Sequence, residues 1–231
     1  MTTDLDGGAA ESVPQDPAAS TGSALRTGLI AVIVVAALAI AIAGGFSWGR
    51  DSKHVAIIPT IGSVDAGFAQ DMTVHHKQAV TMAAYARDYT DSATIKLLAY
   101  DIEDQQTFQV GQMQGWLDNW GVPAANSSPM TWMAGHGHLA SGGLMPGMAT
   151  QAEIDHLRTL HGTVLDIDFL QLMIRHHQGG VPMAQYAAAH ATEPYVRDLA
   201  QSIVVAQSSE IVQMEQLLRQ LGGAPLPAPT S

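Results

Sequence analysis

The chain has no cysteine among its 231 residues. That absence removes thiol nucleophiles, disulfide staples, thiolate metal sites and a lipid-modified N-terminal cysteine. Basic residues are also scarce, with 10 Lys+Arg against 21 Asp+Glu and a net charge of −11. Binding a phosphate backbone needs clustered Lys and Arg, so nucleic acid is excluded as a partner. No stretch alternates at period two, so strands are not expected. Two usually minor residue types are plentiful instead, 11 Met and 10 His, and both can ligate metal. The 47% apolar content is enough for a core.

Residues 1–24 are rich in Ala, Ser, Gly, Pro and Asp, without apolar periodicity, and read as disordered. Residues 25–48 read as a transmembrane helix. Leu29 to Ala43 carries no charge, and the stretch is long enough to cross a bilayer at ~1.5 Å per residue. Ala41-Ile42-Ala43 resembles a cleavage site, which would release a secreted domain after Ala43. Arg26 is the only base before the apolar run, a poor leader, so an uncleaved single-pass anchor is favoured. Arg26 on one side against Arg50 and Lys53 on the other sets orientation only weakly, and taken alone slightly favours a C-terminal domain on the inside. The missing cysteine, the acidity and the Met/His content place the C-terminal domain outside the cytoplasm. Residues 49–62 form a linker and 222–231 a Pro-rich tail.

The remainder is built from a repeat with an offset of 101. Phe68, Met72, His75, His76, Val80, Met82, Ala83 and Tyr85 match Phe169, Met173, His176, His177, Val181, Met183, Ala184 and Tyr186. The match continues through Ile102/Ile203, Gln106/Gln207 and Met113/Met214. Such persistence marks a duplicated unit, residues 63–121 and 150–221. Phe68, Met72, His75, Ala79 and Met82 follow steps of four and three, one stripe of a helix. Gln106, Val110, Met113 and Leu117 form a second stripe. Each unit therefore reads as a helical hairpin, and two hairpins predict an all-α four-helix bundle spanning 63–221. Gly121 with Pro123, and Gly222-Gly223 with Pro225, should end the second and fourth helices. Thr150-x-x-Glu153 is a capping box opening a short helix. Residues 122–149 form a long connector carrying Met130, Met133, His136, His138, Met145 and Met148.

Imidazole with thioether favours copper, because thioether sulfur selects Cu(I) and imidazole accepts Cu(I), Cu(II) and zinc. Met72 stands three and four residues before His75 and His76, and Met173 likewise before His176 and His177. These spacings bring side chains together on a helix. Adjacent histidines point about 100° apart, so one of each pair can face inward and the other a seam. Met82 lies ~10 Å along the axis from His75, too far to share its ion. It is expected to form another site with Met113, with Met183 and Met214 as the repeat equivalents. A methionine on a core stripe most often simply packs, and His54, His156, His161 and His190 read as non-ligands. Imidazole protonation near pH ~6.5 is expected to weaken binding.

The doubled F-x-x-x-M-x-x-H-H-x-x-x-x-x-M-A at Phe68–Ala83 and Phe169–Ala184, each followed by Gln-x6-Met, resembles the family catalogued as domain of unknown function 305. The resemblance covers about Val64 to Leu221. It implies an exported or membrane-tethered, ferritin-like four-helix bundle, with copper binding and tolerance in some members. The first copy departs at Lys77-Gln78-Ala79, where a small residue commonly follows the His pair, while Gln178-Gly179-Gly180 is closer.

The expected function is copper buffering, sequestration or tolerance without enzymatic turnover. The primary ligands would be His75, His76, His176 and His177, with Met72 and Met173 as soft partners and the connector residues as auxiliaries. A metal-free interaction module, forming a homo-oligomer or meeting an envelope partner, is the alternative. A di-iron oxidoreductase is weaker. It needs Glu from two helices and Glu-x-x-His from two more, but only Glu153-x-x-His156 matches, Asp71 becomes Leu172, and Glu103 becomes Val204.

Overall fold

Among the described residues, four long helices and one short helix follow one another: α1 Val64–Tyr89, α2 Ala93–Trp120, α3 Gln151–Leu157, α4 Gly162–His190 and α5 Pro194–Gln220. This computed structural model describes residues 58–133, 135 and 143–229, which belong to one compact unit, Ile58–Ser231. No strand occurs among the described residues. The expected anchor at 25–48 lies outside them. Among those described, no helix is long and apolar enough to cross a membrane.

Local chemistry fixes the helix ends. Ser63 accepts from the Ala66 N–H and Ser92 from the Ile95 N–H, satisfying donors that have no partner inside the first turn. Thr150 and Glu153 form the expected capping box on α3. Gly121, left-handed at φ 67°, ends α2 where a Cβ would be strained. Pro194 opens α5, where its missing N–H costs nothing.

The repeat survives at the level of single hydrogen bonds. Asp65, in the first turn of α1, accepts from the Thr192 and Glu193 N–H groups at the α4–α5 turn. Its equivalent Asp166 accepts from the Thr90 hydroxyl at the α1–α2 turn. Gln70 donates to the Pro123 carbonyl and Gln171 to that of Ala224, each pinning the chain after the partner helix.

α1 packs on α2, α4 on α5, and α1 against α4. Two apolar clusters result. One joins Phe68 and Met72 of α1 to Met113 and Leu117 of α2, Met183 and Ala187 of α4, and Val196 and Ile203 of α5. The other joins Ala79 and Met82 to Ile95 and Ile102, Phe169 and Met173, and Met214 and Leu218. The N-terminal half of α1 therefore meets the C-terminal half of α4, and the reverse, so the two helices cross antiparallel. Phe68 and Phe169 are fully buried, each worth about 1.5–3 kcal/mol relative to exposure. Between the clusters, halfway along α1 and α4, stand the two His pairs.

Candidate metal centre

All four motif histidines are fully buried. The rings of His75 and His176 meet across the α1–α4 seam, with centroids 3.8 Å apart and planes inclined by 39°. At that separation the faces touch, so an ion can be taken only at the ring edges. His176 and His177 lie 6.2 Å apart, centroid to centroid.

Three of the four rings have a fixed hydrogen-bond direction. His75 Nε2 lies 3.1 Å from the Pro146 carbonyl, His76 Nε2 lies 2.7 Å from Gln109 Oε1, and His177 Nε2 lies 2.7 Å from Glu210 Oε2. Each oxygen is an acceptor, so each Nε2 carries the proton and donates. A neutral imidazole then holds a bare lone pair on Nδ1. The Nδ1 atoms of His75, His76 and His177 are buried without a partner, as are both ring nitrogens of His176. Buried polar atoms are normally satisfied, so this concentration of exceptions needs a reason. Metal-binding imidazoles characteristically donate their other N–H to a carboxylate or carbonyl, which orients the ring.

Burial is the main cause of the electrostatics here. It pushes His75 down to about 4, partly opposed by the Pro146 carbonyl. His76 falls to about 3 through burial and then the neighbouring His75, with Gln109 opposing. His176 is lowered well below the usual value by burial and then by His75, His177 and His76. For these three rings burial moves the protonation expected near pH ~6.5 to lower pH. The folded protein keeps these lone pairs free of protons well into the acid range.

Met72 and Met173, one turn before each His pair, are fully buried, as are Met113, Met183 and Met214, while Met82 is 1% exposed. Met72, Met113 and Met183 share one cluster; Met173, Met214 and Met82 share the other. The expected Met82–Met113 site is therefore not formed, because those two residues lie in different clusters. The trios are related by the offset of 101.

The described residues of the connector are built in rather than trailing over the surface. Met130, Met133 and Met145 are buried in the first cluster, with Met148 half-buried against it. His136 and His138 lie outside the described residues. Asp71 Oδ2 accepts from the Met130 N–H at 2.6 Å and from Trp132 Nε1 at 2.8 Å. Gln78 bonds both the N–H and the carbonyl of Ala149. Just before the second fastening, Pro146 and Gly147 lie directly on α4. A Cβ on Gly179 would stand 2.0 Å from the Pro146 oxygen, so only glycine admits the carbonyl that orients His75.

Sequence reasoning passed over Pro146, Gln109 and Glu210. The last two were findable, since each follows its histidine by 33 positions and they align at the repeat offset. Among the described residues, no group of three or more His, Asp or Glu side chains could hold an ion. The donor set still fits copper, with imidazole lone pairs flanked by thioethers on adjoining turns.

Comparison with curated proteins found no match. The family described as Domain of unknown function (DUF305) matches residues 65–218. A DUF305 protein from Streptomyces coelicolor, described as secreted, is 46% identical with a TM-score of 0.68, over 73% of this chain and 99% of that one. A DUF305 fragment from Deinococcus radiodurans is 36% identical, with a TM-score of 0.57, over 68% of this chain and 96% of that one. CopM in its Cu(II)-bound form is 30% identical, with a TM-score of 0.55, over 68% of this chain and 96% of that one. CopM has also been solved with Cu(I), with silver and as the apo form. With its doubled His-His motif intact and the family match spanning both repeats, this chain belongs to the DUF305 family.

Proposed function

We propose that this chain is an extracytoplasmic copper-binding protein. It buffers, sequesters or confers tolerance to the ion through Met/His sites, without turnover. The ion is cargo, held on a ferritin-like four-helix bundle and tethered to the membrane by residues 25–48. The observation that carries this reading is the set of buried imidazoles whose Nε2–H groups are committed to oxygen acceptors and whose Nδ1 lone pairs are not. Support also comes from CopM, which was solved with Cu(I), Cu(II) and silver. The relative described as secreted supports export.

His75, His76, His176 and His177 are the primary donors in this reading, with Met72 and Met173 beside them. The thioether trios and the connector methionines hold further Cu(I). The protein keeps His75, His76 and His176 neutral and holds the rings in orientation, and the surrounding core excludes water. The test is titration of the full chain with Cu(I), Cu(II) and Zn(II), beside a variant with all four histidines changed to alanine. Loss of most of the tight copper binding is expected. Unchanged stoichiometry and affinity would refute the assignment. Failure of the wild-type chain to bind copper, with capture of an envelope protein instead, would favour the interaction module.

A further inference from the structure

The repeated Gln106 and Gln207 have no role in the fold that their surroundings explain. Both are almost completely buried, at 2% and 3% exposure. Both the oxygen and the nitrogen of each amide lack a hydrogen-bond partner. An amide buried in this state is costly, and a leucine of similar size would spare the cost.

The surroundings of Gln207 are specific. A Cβ built on Gly180 would stand 2.7 Å from Gln207 Oε1, 3.1 Å from His75 Cε1 and 3.5 Å from His75 Nδ1. The amide oxygen and the unpaired edge of His75 thus converge on the bare face of Gly180, with the ring of His176 against His75. In the first repeat the position of Gly180 is taken by Ala79, which carries a methyl where Gly180 has none. The two halves are therefore unequal: only beside Gly180 can the glutamine amide approach the helix backbone as closely as Gln207 does.

Resting on the copper reading above, we infer that Gln207 supplies an amide oxygen to the ion held at the edges of His75 and His176. An imidazole–imidazole–amide set is harder than a thioether set and favours Cu(II), leaving Cu(I) to the methionine trios. Gln207 is a specificity-determining ligand, and its unsatisfied burial in the metal-free protein is the cost of keeping it there.

The test is Gln207→Leu in the full chain, read three ways. The metal-free variant should melt higher than wild type, by roughly 2–4 °C, because a buried unsatisfied amide is gone. Its Cu(II) affinity should fall by at least about ten-fold, with a changed Cu(II) electron paramagnetic resonance spectrum. Its Cu(I) affinity should stay within about three-fold of wild type, since the thioethers are untouched. Gly180→Ala should weaken Cu(II) in the same direction by crowding the amide. A Gln207→Leu variant that melts lower, or either variant with wild-type Cu(II) affinity and spectrum, would overturn the role of Gln207. A wild-type chain that binds no copper would overturn this inference together with the reading on which it rests.

Discussion

His177 donates to Glu210 over the same 2.7 Å, and across the same 33 positions, as His76 donates to Gln109. The duplicated unit has kept the geometry of this hydrogen bond while exchanging a carboxylate for an amide. A carboxylate acceptor makes a stronger, charge-assisted hydrogen bond to the imidazole N–H than an amide does, so His177 should be held more firmly as a donor to a cation. Glu210→Gln is expected to bring the second half-site toward the first, weakening its copper affinity by about ten-fold. Glu210→Leu removes the acceptor altogether and should weaken it further. Stepwise copper titration checks both, and equal affinities in wild type and Glu210→Leu would contradict the assignment.

Stability of the metal-free protein should depend on pH through the same rings. In the unfolded chain an imidazole protonates near ~6.5. In the folded chain His75 resists down to about 4 and His76 to about 3. Between these values the unfolded state binds more protons, so the stabilisation is full above ~6.5 and is lost as pH falls toward 4. The loss should be on the order of a few kcal/mol, read as a falling urea midpoint. Asp71, Asp166 and Asp168, raised mainly by burial, work the other way at the acid end. Glu153, held down to about 2 chiefly by Arg175, adds to the loss below its usual value. A midpoint flat from about pH 7 to about pH 4 would contradict the burial of neutral imidazoles.

Asp71 joins α1 to the connector by receiving two buried donors on one oxygen. Asp71→Ala would leave the Met130 N–H and the Trp132 indole N–H unpaired. It should cost about 2–4 kcal/mol, at 1–3 kcal/mol for each orphaned group and with partial relaxation. Met130 holds a left-handed backbone at φ 68°, so the connector should release there first. Hydrogen exchange at Met130 and Trp132 reports it, and wild-type protection in the variant would count against the latch.

Methionines that merely pack can be separated from methionines that bind. Changing Met72, Met113 and Met183 together to leucine conserves volume and should cost less than about 1.5 kcal/mol per site. Cu(I) capacity should nonetheless fall, because leucine offers no sulfur. Unchanged Cu(I) stoichiometry in the triple variant would reduce that trio to core.

Much of this architecture was legible because duplication writes itself into the sequence. The offset of 101 gave the hairpins, the capping box at Thr150 came from the spacing to Glu153, and Gly121 marked the end of α2. The Met82–Met113 pairing failed for a geometric reason that was also available. In an antiparallel hairpin turning near Asp91, residues equidistant from the turn face each other. Met82 therefore meets the region of Ala99, and Met113 that of Ala69, as their clusters confirm. What periodicity could not give was ring orientation. A helical stripe places His75 on a face but does not say which nitrogen is protonated. That depends on Pro146, 71 positions away, on a connector with no periodic pattern. The acid-shifted imidazoles were missed for the same reason, since depth of burial emerges only when the connector closes over α4.

The most direct test is nitrogen-15 NMR of the imidazoles in the full chain as diamagnetic Zn(II), which imidazole also accepts, is added in place of Cu(II). The expected result is a large shift at Nδ1 of His75, His76 and His177, with Nε2 still protonated and bonded to Pro146, Gln109 and Glu210. Shifts at Nε2 with loss of those hydrogen bonds, or no shift on any of the four rings, would contradict the account.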